Sequence, residues 1–228
     1  MMKMKRYAIY YAPPEGRFAE AAALWLGRDL ARGIDVAQPE RAAIALEPAT
    51  RTPRKYGFHA TIKAPFRLAS GQSPDDLAEA LAALTGQLAP VTLDGLRFER
   101  MAGRFLALRP EGDIAPLNAL AAEVVKQLEP QRAPLSAAEI ARRSPERLSP
   151  RQRDLLERFG YPYVLEEFRF HLTLSGDLDA TGLSVLEAAA RDWFGPVLPA
   201  PFIIHDLCLC GEDEAGQFHL LSRHELTG

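Results

Sequence analysis

The chain repeats itself, and this internal repeat limits the fold more than any other feature. A strand-like run from Tyr56 to Leu68 carries His59-Ala60-Thr61, and a second from Phe168 to Leu174 carries His171-Leu172-Thr173. After each run come a helix, a strand, a glycine-containing turn and another strand. His59 precedes Phe98 by 39 residues and His171 precedes Cys208 by 37. The turns correspond as well, Met101-Ala-Gly-Arg-Phe against Glu214-Ala-Gly-Gln-Phe. Motif, element order, spacing and turn together predict two related lobes around a pseudo-two-fold axis.

Alternation along a strand sorts each motif into two faces. His59, Thr61 and Lys63 share one face, and Phe58, Ala60, Ile62 and Ala64 the other. His171, Thr173 and Ser175 share a face, with Phe170, Leu172 and Leu174 buried opposite. Two polar faces therefore meet across a groove if the lobes pair.

The other elements follow from periodicity and punctuation. Arg6 to Ala12 reads as a strand and Phe18 to Leu30 as a helix. The stretch from Gly33 to Lys55, with Pro39, Pro48 and Pro53, reads as irregular. Ser73 caps a helix through Leu84, with Asp75 and Asp76 in its first turn. Val91 to Pro110 reads as a hairpin, and Pro116 to Leu128 as a helix with one apolar stripe. Ser136 and Ser149 cap two short helices, and Thr181 caps a helix through Phe194. Pro201 to Cys210 and Phe218 to Glu225 form a second hairpin. The expected organisation is one bilobal domain over 1–228. Its motif 1 lobe centres on 56–110, a helical insert covers about 130–165, and its motif 2 lobe centres on 166–228.

The 228 residues suffice for a substantial core. A net charge of -3 excludes a strongly basic nucleic-acid binder. Two cysteines, Cys208 and Cys210, are too few for a disulfide framework. Met1 to Arg6 is followed by no apolar run of signal-peptide type, and no span crosses a membrane. Cytoplasmic residence is the expectation.

The paired polar faces suit a phosphodiester. In-line cleavage of a P–O bond needs a base on the attacking oxygen and an acid on the departing one, on opposite sides of phosphorus. Histidine titrates near pH ~6.5, so one imidazole is expected neutral and the other protonated. Thr61 and Thr173 are candidates to hold the non-bridging oxygens, and Lys63 to add a cation to that phosphate or a second one. Arg169, two residues before His171, is a further phosphate candidate. Tyr56 and Ser175 are candidates for the cleft wall. Arg54 and Lys55 read as a solvated loop or as ligands of a distal phosphate, Tyr7 and Tyr10 as core packing or an edge of the site, and Arg104 as a weaker phosphate candidate. The arginines at 132, 142, 143, 147, 151 and 153 read as surface charge or a cationic lid. His205 diverges from Cys208 and Cys210 by alternation, so they are not expected to share a tetrahedral metal site, and His219 and His224 likewise fall on opposite faces. Neither metal nor cofactor is expected.

These residues resemble the two-histidine (2H) phosphoesterase superfamily, which is defined by two His-x-Thr/Ser motifs. The resemblance implies a LigT-like α+β fold, with two antiparallel sheets facing a central cleft and helices outside. It also implies His59 and His171 as the catalytic pair. Arg6 to Pro13, Tyr56 to Arg67 and Gly160 to Gly176 are more closely similar to the DUF1045 branch, whose members resemble proteins encoded with phosphonate-degradation enzymes. Ser175 stands where many relatives carry threonine followed by glycine. The branch implies a small phosphorylated sugar or nucleotide as substrate, specifically 5-phosphoribosyl 1,2-cyclic phosphate opened to a ribose bisphosphate. Two alternatives stand beside it: an enzyme processing RNA 2′,3′-cyclic phosphate ends, and a non-catalytic RNA-binding module. The acidic balance argues against long nucleic acid, and placing Phe58 and Phe170 on the buried side argues against base stacking on the open faces.

Overall fold

The computed structural model describes residues 3–40 and 44–228. In chain order its strands and α-helices are β1 (Arg6–Tyr11), α1 (Arg17–Leu26), β2 (Arg28–Asp29), β3 (Ile34–Asp35), α2 (Leu46–Arg54), β4 (Ala60–Phe66), α3 (Pro74–Thr85), β5 (Val91–Leu93), β6 (Gly95–Met101), β7 (Phe105–Glu111), α4 (Ala115–Gln127), α5 (Ala137–Ala141), α6 (Pro150–Phe159), β8 (Leu172–Thr173), α7 (Ala180–Phe194), β9 (Phe202–Ile204), β10 (Asp206–Glu212) and β11 (Phe218–Glu225). The fold is α+β, as expected, and its sheet pairings are antiparallel.

The repeat is present but crossed. One sheet runs β11-β10-β1-β4 and the other β6-β7-β8. The motif 1 strand β4 thus shares a sheet with the second hairpin, β10 and β11. The motif 2 strand β8 pairs with the first hairpin, Ala107 facing Thr173 and Leu108 facing Leu172. The lobes are therefore not the contiguous blocks 56–110 and 166–228; each motif is completed by the other half's hairpin. The strands preceding the two hairpins, β5 and β9, hold equivalent places in the repeat and pair with each other, centred on Thr92 and Ile203. A two-fold relation between the halves allows that pairing.

The helices follow the same exchange. α3 packs against β10 and β11, and α7 against β6 and β7. Their apolar stripes (Leu77 and Leu81; Leu183, Leu186, Ala190 and Phe194) join one core that runs through both lobes. Burying each such side chain contributes about 1.5–3 kcal/mol. α3, α5 and α6 begin at Ser73, Ser136 and Ser149, each with a reciprocal capping box. α7 begins two residues earlier than expected: Asp179, not Thr181, is its cap and accepts the Gly182 amide at 2.7 Å.

Two segments depart from expectation for reasons that bear on the cleft. The supposedly irregular 33–55 stretch contains α2, despite Pro48 and Pro53. Pro48 lies in the first turn, where an amide has no helical partner anyway. Pro53 cannot bond the Ala49 carbonyl, but the Gly176 amide does so instead at 2.8 Å. The proline thereby frees an acceptor that ties α2 to the end of motif 2. The second departure is the Phe168–Leu174 run, which pairs as a strand only at Leu172–Thr173. Just before it, the Phe170 carbonyl accepts the Arg109 guanidinium at 2.8 Å in place of a backbone amide.

Candidate active site

Both motifs open onto one cavity of about 590 Å³ between the sheets, lined among others by His59, Thr61, His171 and Thr173. Phe58 and Phe170, the residues just before the histidines, are buried in the core behind it.

The two imidazoles are held by the same local device. His59 Nδ1 lies 2.9 Å from the Gly57 carbonyl oxygen, and His171 Nδ1 lies 2.7 Å from that of Arg169. Each acceptor sits two residues upstream. A carbonyl only accepts, so Nδ1 carries the proton and donates, and Nε2 is left as the ring's accepting atom. His59 Nε2 lies 3.3 Å from the Thr61 hydroxyl. Gly57 has a φ of 70°, and a Cβ there would lie 2.6 Å from that of Leu30. Only glycine provides this carbonyl position without displacing Leu30.

Burial pushes His59 down to about 4; the Gly57 hydrogen bond opposes this, and the nearby His171 adds to it. Burial also lowers His171, with the Arg169 carbonyl opposing and the Arg109 charge adding. Both shifts favour the neutral imidazole at pH 7, rather than one neutral and one protonated ring. An anion between them reverses the balance, because a negative charge favours the protonated imidazole.

Two expected phosphate ligands lie elsewhere. β4 carries two extra residues relative to β1, between Thr61 and Lys63 and between Lys63 and Phe66. The first bulge reverses the alternation. Lys63 turns away from Thr61 and is buried, its ammonium donating to the Val125 carbonyl and to Glu129 at 3.0 Å each. It caps the last turn of α4. Ala64 and Pro65 line the cavity in its stead. The exposed Arg169 guanidinium donates to the carbonyls of Glu166 and Phe168; only its backbone serves the motif. Ser175 lines the cavity, but its hydroxyl accepts the Leu106 amide and donates to the Gly176 carbonyl. Tyr56 does stand on the cavity wall, its ring 5.8 Å from that of His59.

The cavity also gathers Tyr10, expected mainly to pack, Arg143, expected as surface charge or part of a lid, and Arg6, Phe105 and Tyr161, for which the sequence offered no site role. Tyr10 stacks on His59 with ring centres 3.9 Å apart. It faces Thr61 across the β1–β4 ladder, so opposed residues share a face. Because β1 is buried on both sides, it shows no alternation from which this could be read. Phe105 lies 5.9 Å from His171. Arg6, Arg143 and Tyr161 complete the wall. Cys208 and Cys210 are buried in a small cluster with Tyr10 and Phe218. Among the described residues no three histidine, cysteine or acidic side chains are grouped to hold a metal ion, and no helix is long and apolar enough to cross a membrane.

The chain is similar to several known proteins. It is 37% identical over 221 residues to the ribose 1,5-bisphosphate phosphokinase PhnN of Janthinobacterium sp. (strain Marseille), covering 93% of this chain and 49% of that protein. It is 36% identical over 228 residues to the protein of that name from Laribacter hongkongensis (strain HLHK9), covering 96% and 51%. The chain thus spans about half the length of the curated relatives it matches. Similar solved structures include E. coli LigT complexed with 3'-AMP (TM-score 0.49, 16% identity, 99% and 100% of the two chains). Another is TT0787 of Thermus thermophilus (TM-score 0.49, 17% identity, 98% of each chain). The family model described as a protein of unknown function (DUF1045) matches residues 61–219, from the threonine of the first motif through the whole of the second, and the chain belongs to that family.

Proposed function

We propose that the protein is a phosphoesterase of the two-histidine type, opening a small cyclic phosphodiester of a ribose sugar. One observation carries this reading: His59 and His171 line a single cavity, each with Nδ1 tied to the carbonyl two residues upstream, which leaves Nε2 as the ring's accepting atom. An imidazole so held can act as a general base or, once protonated, as a general acid on a phosphate bound in that cavity.

One Nε2 takes the proton of the attacking water as its oxygen bonds to phosphorus. The other imidazole, protonated under the substrate's negative charge, gives its proton to the departing ribose oxygen. The cyclic diester and one water become a phosphomonoester and a free hydroxyl. Thr61 and Thr173, which line the same cavity, supply hydroxyl donors for the non-bridging oxygens in this reading. These steps use only the chain's own groups.

The PhnN-named relatives bear on the substrate. Their printed name specifies ribose 1,5-bisphosphate, and breaking the P–O2 bond of 5-phosphoribosyl 1,2-cyclic phosphate leaves that compound. The kinase part of the name belongs to proteins twice this length, and this chain has no Gly-Lys pair from which a P-loop could be built. A second reading, hydrolysis of a 2′,3′-cyclic phosphate at an RNA end, is favoured by Tyr56, Phe105 and Tyr161 on the wall, against which a base could stack.

The test is a phosphorus-31 NMR assay of 5-phosphoribosyl 1,2-cyclic phosphate against 2′,3′-cyclic oligonucleotides. The expected outcome is conversion of the sugar to ribose 1,5-bisphosphate, unaffected by a chelator. Turnover of the oligonucleotide alone selects the second reading. No turnover of either, or activity abolished by chelation and restored by a divalent ion, defeats the proposal.

A further inference from the structure

We infer that Arg142 and Arg143 form a separate subsite for a second phosphate group, on the insert side of the cleft. The inference rests on the proposed phosphoesterase reading and extends it: the substrate carries a phosphate remote from the one being cleaved.

The argument begins with charge. Arg6 is held by Glu212 through two hydrogen bonds, at 2.5 and 2.8 Å. Asp177, on the opposite wall, is paired with Arg104. These charges cancel where they stand. Arg143 lines the histidine cavity with its guanidinium carbon 4.9 Å from the Tyr161 ring centre, and no carboxylate pairs with it among the described residues.

A second cavity of about 200 Å³ adjoins the first and shares Arg6, Pro65 and Arg143 with it. Arg142 and Glu139 line its far side. Glu139 is itself neutralised by Arg67, at 2.9 and 3.1 Å, and that pairing lowers its carboxyl to about 2. Like Arg143, Arg142 has no acidic partner among the described residues. Two uncompensated guanidinium groups thus line a small cavity that shares Arg6, Pro65 and Arg143 with the histidine cavity. Guanidinium groups match phosphate oxygens in pairs.

The segment that carries them is anchored rather than free. The Ala133 amide donates to the Arg67 carbonyl at 2.8 Å and the Ala69 amide to that of Gln131 at 2.9 Å. Arg67 further bonds the Pro134 carbonyl at 2.8 Å. The stacking of Arg143 on Tyr161 limits the freedom its guanidinium must lose on binding.

Two readouts test this. The first is calorimetric binding of ribose 5-phosphate, which carries only the remote phosphate, to the wild-type chain and to R142M/R143M. The second is the ratio of kcat/KM for ribose 1,2-cyclic phosphate with and without its 5-phosphate. A roughly 10- to 100-fold weaker affinity and a similar fall in that ratio are expected. R142K/R143K should recover part of both, and R147M, in the same insert, should change neither. Unaltered binding and an unaltered ratio in R142M/R143M overturn the subsite. Weakened ribose 5-phosphate binding in a protein that turns over no cyclic phosphate keeps the subsite and defeats the phosphoesterase reading. Melting curves of each variant separate a lost subsite from a lost fold.

Discussion

The two halves of the cleft use one device in different surroundings. On each side an imidazole rests its Nδ1 on the carbonyl two residues upstream. On the first side the ring is stacked on the fully buried Tyr10, and its carbonyl partner is a glycine in a left-handed conformation. On the second, Ala107 takes the place facing Thr173, the nearest aromatic ring is 5.9 Å away, and the carbonyl belongs to Arg169. Burial accordingly pushes His59 down to about 4 and His171 less far. A duplicated motif thus supplies two similar proton carriers, and their packing makes them unequal. On the proposed mechanism this inequality would make His59 the base and His171 the acid, an assignment that the pH profiles below test.

The largest effect comes from removing either ring. His59→Ala and His171→Ala should each lower kcat by ~10²–10⁴-fold, the usual share of one positioned proton transfer. The double variant should be little worse than the poorer single one, because the pair acts as a unit. Steady-state rates measured from pH 5 to 9 sharpen the comparison further. If His59 is the base, the variant keeping only His59 loses the limb that reports the acid. The inequality of the two rings fails if the residual pH profiles coincide.

Stability against pH gives the next effect. A histidine with a folded pKa of about 4 and an unfolded pKa of ~6.5 is protonated more readily in the unfolded chain. Its neutral burial therefore costs nothing above the unfolded pKa. As pH falls from ~6.5 towards 4, stability is lost, by up to about 3 kcal/mol for His59. Urea unfolding at pH 7 and 4.5 should show this loss in the wild type and less of it in His59→Gln. Inorganic phosphate should narrow the gap, since an anion between the rings raises both pKa values. An equal acid sensitivity in His59→Gln would break the assignment.

How much of this was legible in the sequence depends on range. The repeat, the serine caps and the apolar back faces are local, and they could be read directly. Partnership between distant strands could not. Nothing in Val91 to Pro110 says that this hairpin completes the sheet of the second motif, because exchange between equivalent halves leaves every local pattern unchanged. The β4 bulge was equally hidden. Ile62 and Lys63 continue the alternation in the sequence, and only pairing with β1 reveals the extra residue. The equivalent positions Lys63 and Ser175 part company: Ser175 lines the cavity with its hydroxyl bonded to the β7 edge at Leu106, whereas Lys63 leaves the cleft and caps α4. Arg142 and Arg143 could be seen as surface charge or part of a lid but not as the proposed subsite, because that depends on which neighbouring charges are already matched.

Lys63 therefore offers a sharper test than its place beside the motif implies. Lys63→Met removes a donor from the Val125 carbonyl, while Glu129 keeps Arg132 at 2.6 Å. A loss of roughly 1–3 kcal/mol in unfolding free energy is expected, with KM for the cyclic phosphate unchanged. A raised KM with unchanged stability would return Lys63 to the phosphate.

The smallest effects compare the two carbonyls themselves. Gly57→Ala forces a side chain into a left-handed conformation and against Leu30, at a cost of about 1–2 kcal/mol for the backbone alone. Relief of that strain moves the carbonyl that sets the tautomer of His59, so kcat should fall together with the melting temperature. Arg169→Ala removes an exposed side chain but keeps the carbonyl that holds His171. Its stability should change by about 0.5 kcal/mol or less, and kcat should stay near the wild-type value. Nitrogen-15 NMR of the imidazoles reads the point directly. In Arg169→Ala the His171 ring should keep its proton on Nδ1, whereas in Gly57→Ala the His59 signal should move towards a tautomeric mixture. If Arg169→Ala disturbs His171 as strongly as Gly57→Ala disturbs His59, the guanidinium has a role at the second motif that its contacts with the Glu166 and Phe168 carbonyls do not account for.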